Sequence, residues 1–110
     1  LKRYQISISQ TIEIGNLYLN RKNYVVQVGN QESSLPLKEF ELLYLLASYP
    51  GKTFTREQLI EKIWGYDYEG DERTVDVHVK RLRSRFDQSL VEFRIQTVRG
   101  LGYRLEEDRS

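Results

Sequence analysis

The chain has 110 residues, 39% of them apolar and 12% aromatic, enough for one small core and too few for two. Its net charge of +1 hides an uneven distribution: residues 1–72 hold 8 Lys and Arg against 10 Asp and Glu, whereas residues 73–105 hold 8 against 3, a basic segment on a neutral to acidic scaffold. The absence of cysteine excludes disulfides, thiolate metal sites and cysteine nucleophiles, and with no apolar run near the roughly 20 residues of a membrane span and no signal-peptide pattern, a cytoplasmic setting is expected.

There is no methionine, even at position 1, so the chain is expected to be a piece of a longer protein. Leu1 to Tyr4 reads as the end of a preceding helix and Gln5 to Gln10 as a polar linker; a merely unstructured N-terminus is the alternative. Four short strands follow, Thr11 to Ile14, Leu17 to Asn20, Tyr24 to Val28 and Ser33 to Leu35. They alternate or carry β-branched residues, and turn formers at 15–16, 21–23 and 29–31 separate them, the pattern of an antiparallel meander. The period then changes. Leu37, Phe40, Leu43, Tyr44 and Ala47 share a helical face that Leu42, Leu45 and Leu46 widen, and Pro50-Gly51 stops what is expected to be the most buried helix.

A second helix opens at Thr55, whose hydroxyl can cap it while Gln58 reaches back, and runs to about Trp64 before Gly65. An acidic, aromatic loop, GYDYEGDE, leads into a third helix from Arg73 to Phe86. Beyond a polar break at residues 87–92, Phe93 to Val98 reads as a strand, residues 99–102 as a tight turn and Tyr103 to Leu105 as the return. Strands, three helices and a terminal hairpin make an α+β domain over residues 11–106, with 107–110 as a tail.

The third helix carries two surfaces. Val75, Val79, Leu82 and Phe86 form a buried stripe, while Arg73, Val77, Lys80, Arg81 and Ser84 converge on the opposite side with Thr74 and Asp76 at its margins. A solvated face is the ordinary reading of such a charge run. Val77 in the middle of it favours a helix laid in the major groove, where Arg and Lys meet guanine edges or phosphates and a small apolar group meets a thymine methyl. A face that docks an acidic protein partner is the remaining alternative. His78 projects near the edge of the buried stripe, so a core role and a phosphate contact both stand, as they do for Trp64 at the end of its amphipathic helix. Arg99 precedes two glycines at a hairpin tip, which let a backbone approach a groove closely.

Catalysis has little to build on. One histidine, no cysteine and no glycine-rich loop followed by a helix leave no nucleophile and base pair and no phosphate cradle, so neither catalytic residues nor a cofactor are expected. The carboxylates Asp67, Glu69, Asp71 and Glu72 do not make a calcium loop, because Gly70 stands at the wrong offset and His78 where a bidentate glutamate is needed. Asp71 and Glu72 instead suit the positive end of the following helix.

Four segments, LPLKEFELLYLLA, FTREQLIEKIWG, ERTVDVHVKRLRSRF and IQTVRGLGYRL, stand in the order and spacing of a known family. The chain resembles the winged-helix effector domain of OmpR/PhoB-type response regulators of bacterial two-component systems from Leu35 to Leu105, and the strand meander fits that family's N-terminal sheet. The resemblance implies a winged helix-turn-helix: a four-stranded antiparallel sheet, three helices and a C-terminal hairpin wing. It places the third helix in the major groove and Arg99 in the adjacent minor groove. It implies base reading by Thr74, Val77, Arg81 and Arg99, and phosphate contacts by Trp64, Arg73, His78, Lys80, Arg83 and Thr97. It also implies that the loop residues Tyr66, Asp67, Tyr68, Glu69, Asp71 and Glu72 meet RNA polymerase. The implied partners are double-stranded DNA, bound as tandem head-to-tail copies on direct repeats, RNA polymerase, and an absent receiver domain acted on by a sensor histidine kinase. One departure is local: Pro36 stands where many members carry a capping threonine, so the first helix is expected to take its cap from Ser34 or water.

Overall fold

A computed structural model describes residues 10–108; the expected end of a preceding helix, all of the linker but Gln10, and Arg109 and Ser110 of the tail lie outside the described residues. Strands β1 (Thr11–Ile14), β2 (Leu17–Asn20), β3 (Val25–Val28) and β4 (Gln31–Ser33) form an antiparallel sheet in sequence order. Alternation puts Ile12, Ile14, Leu17, Leu19 and Val26 on its buried face. Two ends differ from expectation. Gly29, at φ +59°, makes a two-residue turn that pairs Val28 with Gln31, so β4 begins two residues before Ser33. Tyr24, also at φ +59°, belongs to the turn before β3, and its ring meets Phe40 edge-on at 5.2 Å.

Helix α1 (Leu37–Ser48) packs against that sheet. Phe40, Leu42, Leu43, Leu46 and Ala47 are buried, Tyr44 and Leu45 partly so, whereas Leu37, expected on the apolar face, is exposed. Pro36 precedes the helix and no side chain caps it, so the expected Ser34 cap is not formed. The sequence pattern also missed Glu39, 2% exposed within this apolar helix. Arg85, from the last turn of the third helix, answers it through Nε at 2.5 Å and Nη2 at 3.3 Å, a charged clasp between the two helices. That hydrogen bond raises the basicity of Arg85.

Helix α2 starts with the expected capping box, Thr55 Oγ accepting from the Gln58 amide at 3.0 Å while Gln58 accepts from the Thr55 amide at 2.9 Å. Its α-helical part is Arg56–Leu59, and it continues through Ile60–Trp64 as a wider turn closed by the Gly65 amide on the Ile60 carbonyl. The ammonium of Lys38 on α1 takes the Ile63 carbonyl of that turn at 2.7 Å. Helix α3 spans Arg73–Arg85 and buries Val75, Val79 and Leu82 completely, each burial worth about 1.5–3 kcal/mol. Phe86 was expected inside the helix. It is extended at φ −118°, ψ 138° and packs on Phe93.

The second sheet contains a strand that the sequence did not disclose. Strand β5 (Phe54–Thr55) pairs with β7 (Gly102–Glu107), which pairs with β6 (Phe93–Val98), so the terminal hairpin is part of a three-stranded sheet in the order β5-β7-β6. Two residues beside a helix cap carry no period, so nothing in the sequence marks β5 as a strand. Gly102 is what allows the backbones to come together, because a side-chain Cβ there falls inside the van der Waals envelope of the Phe54 carbonyl. Gly102→Ala is therefore expected to destabilise the fold by about 1–3 kcal/mol through overpacking; urea unfolding of the two proteins measures it, and equal midpoints would show that β5 yields without cost.

Candidate nucleic-acid interface

The buried stripe of α3 fixes which of its faces looks outward. With Val75, Val79 and Leu82 pressed to the core, the other side presents Val77 at 43% exposure between Lys80 and Arg81. Among the described residues, the side chains of Lys80, Arg81 and Arg99 have neither a hydrogen bond nor an ion pair, so their charges are available to a ligand. The outward face of α3 thus sets one exposed apolar side chain beside two uncommitted cations.

The other expected contacts are partly engaged. Arg73 grips Asp71 through Nε at 3.2 Å and Nη2 at 3.1 Å, but both side chains are mostly exposed, so the pair is screened and readily exchanged for a phosphate. Asp71 also accepts from the Arg73 amide at 2.9 Å, beside the positive end of α3, and these hydrogen bonds hold its carboxyl below the usual range. Thr74 Oγ accepts from the Tyr68 hydroxyl at 3.1 Å and keeps its own hydrogen to donate. The His78 ring meets the Thr74 carbonyl through Nδ1 at 2.7 Å. A carbonyl only accepts, so Nδ1 carries the hydrogen, and Nε2 can donate to a phosphate only when the ring is cationic.

Trp64 lies at the edge of this region, half-buried, with His78 edge-on at 5.0 Å and Tyr68 at 6.0 Å; among the described residues its indole N–H has no acceptor. Tyr66, Asp67 and Glu69 are exposed in the acidic loop, Tyr66 almost fully at 88%, and Glu72 is exposed at the start of α3. Arg83 points elsewhere. Its Nη2 donates to the Ile95 carbonyl at 2.5 Å and to Thr97 Oγ at 2.9 Å, tying α3 to β6 and leaving three of its five donors unspent.

A second tie was visible only as one acid on the margin of a basic face. Asp76 Oδ1 accepts from the Tyr103 hydroxyl of β7 at 2.5 Å and from Nε of Arg56, the first residue of α2, at 2.7 Å. Both Arg56 and Arg83 lie against the Tyr103 ring, 5.4 and 5.8 Å from its centroid. Tyr103 is paired with Thr97 one step before the hairpin tip, and the Arg56 amide donates to the Leu101 carbonyl. The start of α2, the outward face of α3 and the root of the hairpin therefore form one unit. Thr74, Val77, Lys80 and Arg81 lie on its helix, and Arg99 on its tip.

The family described as "Transcriptional regulatory protein, C terminal" matches residues 30–105. Heme response regulator HssR of Staphylococcus aureus (strain JH9) is 57% identical over 106 residues, which are 96% of this chain and 47% of that protein; the chain spans about half the length of the curated relatives it matches. Solved structures share the fold, among them two DNA-binding domains. The Klebsiella pneumoniae RstA DNA-binding domain, in complex with RstA box, has a TM-score of 0.76 and 34% identity, covering 88% of this chain and 97% of that one. The DNA-binding domain of CpxR from E. coli has a TM-score of 0.77 and 29% identity, covering 90% and 98%.

The Asp76 junction has a pH signature. Burial raises the affinity of this carboxyl for its proton, but the hydrogen bonds from Tyr103 and Arg56 outweigh burial and hold it below its ordinary range; Tyr103 in turn is raised, by burial and by donating to Asp76. A carboxyl depressed in the fold stabilises it above its unfolded titration range, near pH 3.9 by rough reference value, and loses that contribution as pH falls through the folded one. Asp76→Asn should thus lower stability at about pH 7, with the gap from the unmutated chain closing below about pH 4. Urea unfolding across that range checks it, and a gap independent of pH would remove the charge from the account.

Proposed function

The chain belongs to the family of C-terminal domains of transcriptional regulatory proteins, the winged-helix domains of OmpR/PhoB type, and we propose that it binds double-stranded DNA sequence-specifically as the effector domain of a two-component response regulator. The observation that carries the reading is the outward face of α3, where exposed Val77 stands between the uncommitted charges of Lys80 and Arg81. The relatives support it, since the RstA domain is described in complex with its box. The family is one of regulators and not a class of enzymes.

In this reading α3 lies in the major groove. Arg81 donates to guanine O6 and N7, Val77 packs on a thymine methyl, and Thr74 offers a hydroxyl at the end of the helix nearer α2. Lys80, Arg73, Trp64, Thr97, His78 in its cationic form and the unspent donors of Arg83 meet the phosphates, setting register without reading sequence. Arg99 enters the minor groove from the hairpin tip, where narrow A·T-rich stretches hold a stronger negative potential.

Residues 1–10 then lead in from a receiver domain on which a sensor histidine kinase acts, and residues 11–106 form the DNA-binding domain; the tail expected from 107 begins after Glu107, because that residue still pairs with Phe93 at the end of β7. Two copies occupy direct repeats head to tail, about 10–10.5 bp apart. The exposed acidic loop from Tyr66 to Glu72 meets RNA polymerase, an assignment supported by Tyr66, which stands almost free of the fold beside carboxylates.

Selection of bound duplexes from a random pool supplies the cognate site for the decisive comparison. Arg81→Ala should cost about 1–3 kcal/mol on that site and much less on a scrambled duplex; equal losses on both would sink the base-reading role. Lys80→Ala should weaken both duplexes alike and flatten the dependence of log K on log salt by about one unit. A salt slope identical to that of the unmutated chain would take Lys80 off the phosphate list.

A further inference from the structure

The connection from β4 to α1 runs beside the last two turns of α3. Ser33, Ser34 and Leu35 line a cleft together with Arg81, Ser84 and Arg85. Among the described residues, the side chains of Ser33, Ser34 and Arg81 have no hydrogen-bond or ion-pair partner. Ser84 gives its hydroxyl hydrogen to the Arg81 carbonyl. Arg85 spends Nε and one Nη2 hydrogen on buried Glu39, which leaves three of its five donors. No carboxylate lines the cleft, and although Glu39 behind it balances the charge of Arg85, the cleft offers two free hydroxyls, the spare donors of Arg85 and the uncompensated charge of Arg81, and suits an anion. The C-terminal end of α3 opposes this with about half a negative charge, less than the whole charge on Arg81 alone.

The cleft shares Arg81 with the face of α3 that is proposed to read bases. When a duplex lies on that face, the anions beside Arg81 are the backbone phosphates bordering the occupied groove. We infer that the β4–α1 connection is a third DNA-contacting element, in which Ser33, Ser34 and Arg85 hold a backbone phosphate alongside the recognition helix. The inference rests on the DNA-binding reading and adds to it. Arg81 stands on the boundary between the two contacts, turned toward the groove, while the serines and Arg85 close on the strand that borders it. Because these donors meet phosphate and not base edges, they add affinity and salt dependence without changing the sequence preferred.

The test is fluorescence anisotropy with the 110-residue chain on cognate and scrambled duplexes across a salt series. Ser34→Lys should raise affinity for both duplexes several-fold and steepen the salt slope by about 0.9, one added phosphate contact. Ser34→Glu should weaken both. Ser48→Lys, at the other end of α1, roughly 16 Å along the helix and beyond a Debye length of about 8 Å, should leave the slope unchanged. Thermal unfolding midpoints equal to that of the parent chain separate these effects from misfolding. An unchanged slope in Ser34→Lys, or an equal steepening in Ser48→Lys, overturns the third contact while leaving the proposed function standing. A parent chain that binds no duplex at all would instead bring down the DNA-binding reading, and this inference with it.

Discussion

One carboxylate joins the outward face of α3 to the two elements that flank it. Asp76 accepts from the first residue of α2 and from the second residue of β7, so three elements distant in the chain share a single acceptor. Each partner alone is weakly held, because the Asp76–Arg56 pair is partly exposed and a partly exposed ion pair is screened by solvent. Convergence changes this. Tyr103 is locked by its strand pairing to Thr97 and Phe54, Arg56 by its place behind the Thr55 cap, and Asp76 by the helix that buried Val75 and Val79 anchor to the core. Groups already held in place lose little further freedom when they bond, so geometry set by packing makes a modest interaction decisive.

The same logic separates the two arginines that leave α3 for other elements. Arg85 answers a carboxylate that is almost wholly buried, so its clasp with Glu39 offsets the desolvation of a charge that would otherwise oppose folding. Arg83 answers a backbone carbonyl and a hydroxyl, which carry no such penalty, and its effect is to orient the hairpin. One arginine thus joins α3 to α1 and the core, the other to the wing, while Lys80 and Arg81 between them stay uncommitted. On the proposed function, that division leaves free the charges that would meet DNA and engages the ones that hold the helix.

Much of this was legible in the residues. The capping box at Thr55, the stripe of Val75, Val79 and Leu82, the turn at Gly15-Asn16 and the extent of β6 all rest on neighbours within a few positions, and the structure keeps them. The failures have a common character. Leu37 fits the apolar period of α1, yet it lies at the uncapped first position, where it meets solvent. Phe86 fits the period of α3, but its backbone is extended and its ring packs on Phe93 of β6. Glu39 broke the apolar pattern of α1 and gave no hint of its partner, 46 residues away.

Local chemistry was therefore enough for the class of fold, the helix and strand periods, the two-faced character of α3 and the charge asymmetry behind the proposed function, because each is a property of adjacent side chains. Strand β5, the Glu39–Arg85 clasp, the Asp76 junction and the cleft between Ser34 and Arg81 were settled by folding alone. Their partners lie tens of residues apart, and no periodicity along a chain records which distant groups the packing of a core will bring within a hydrogen bond's length.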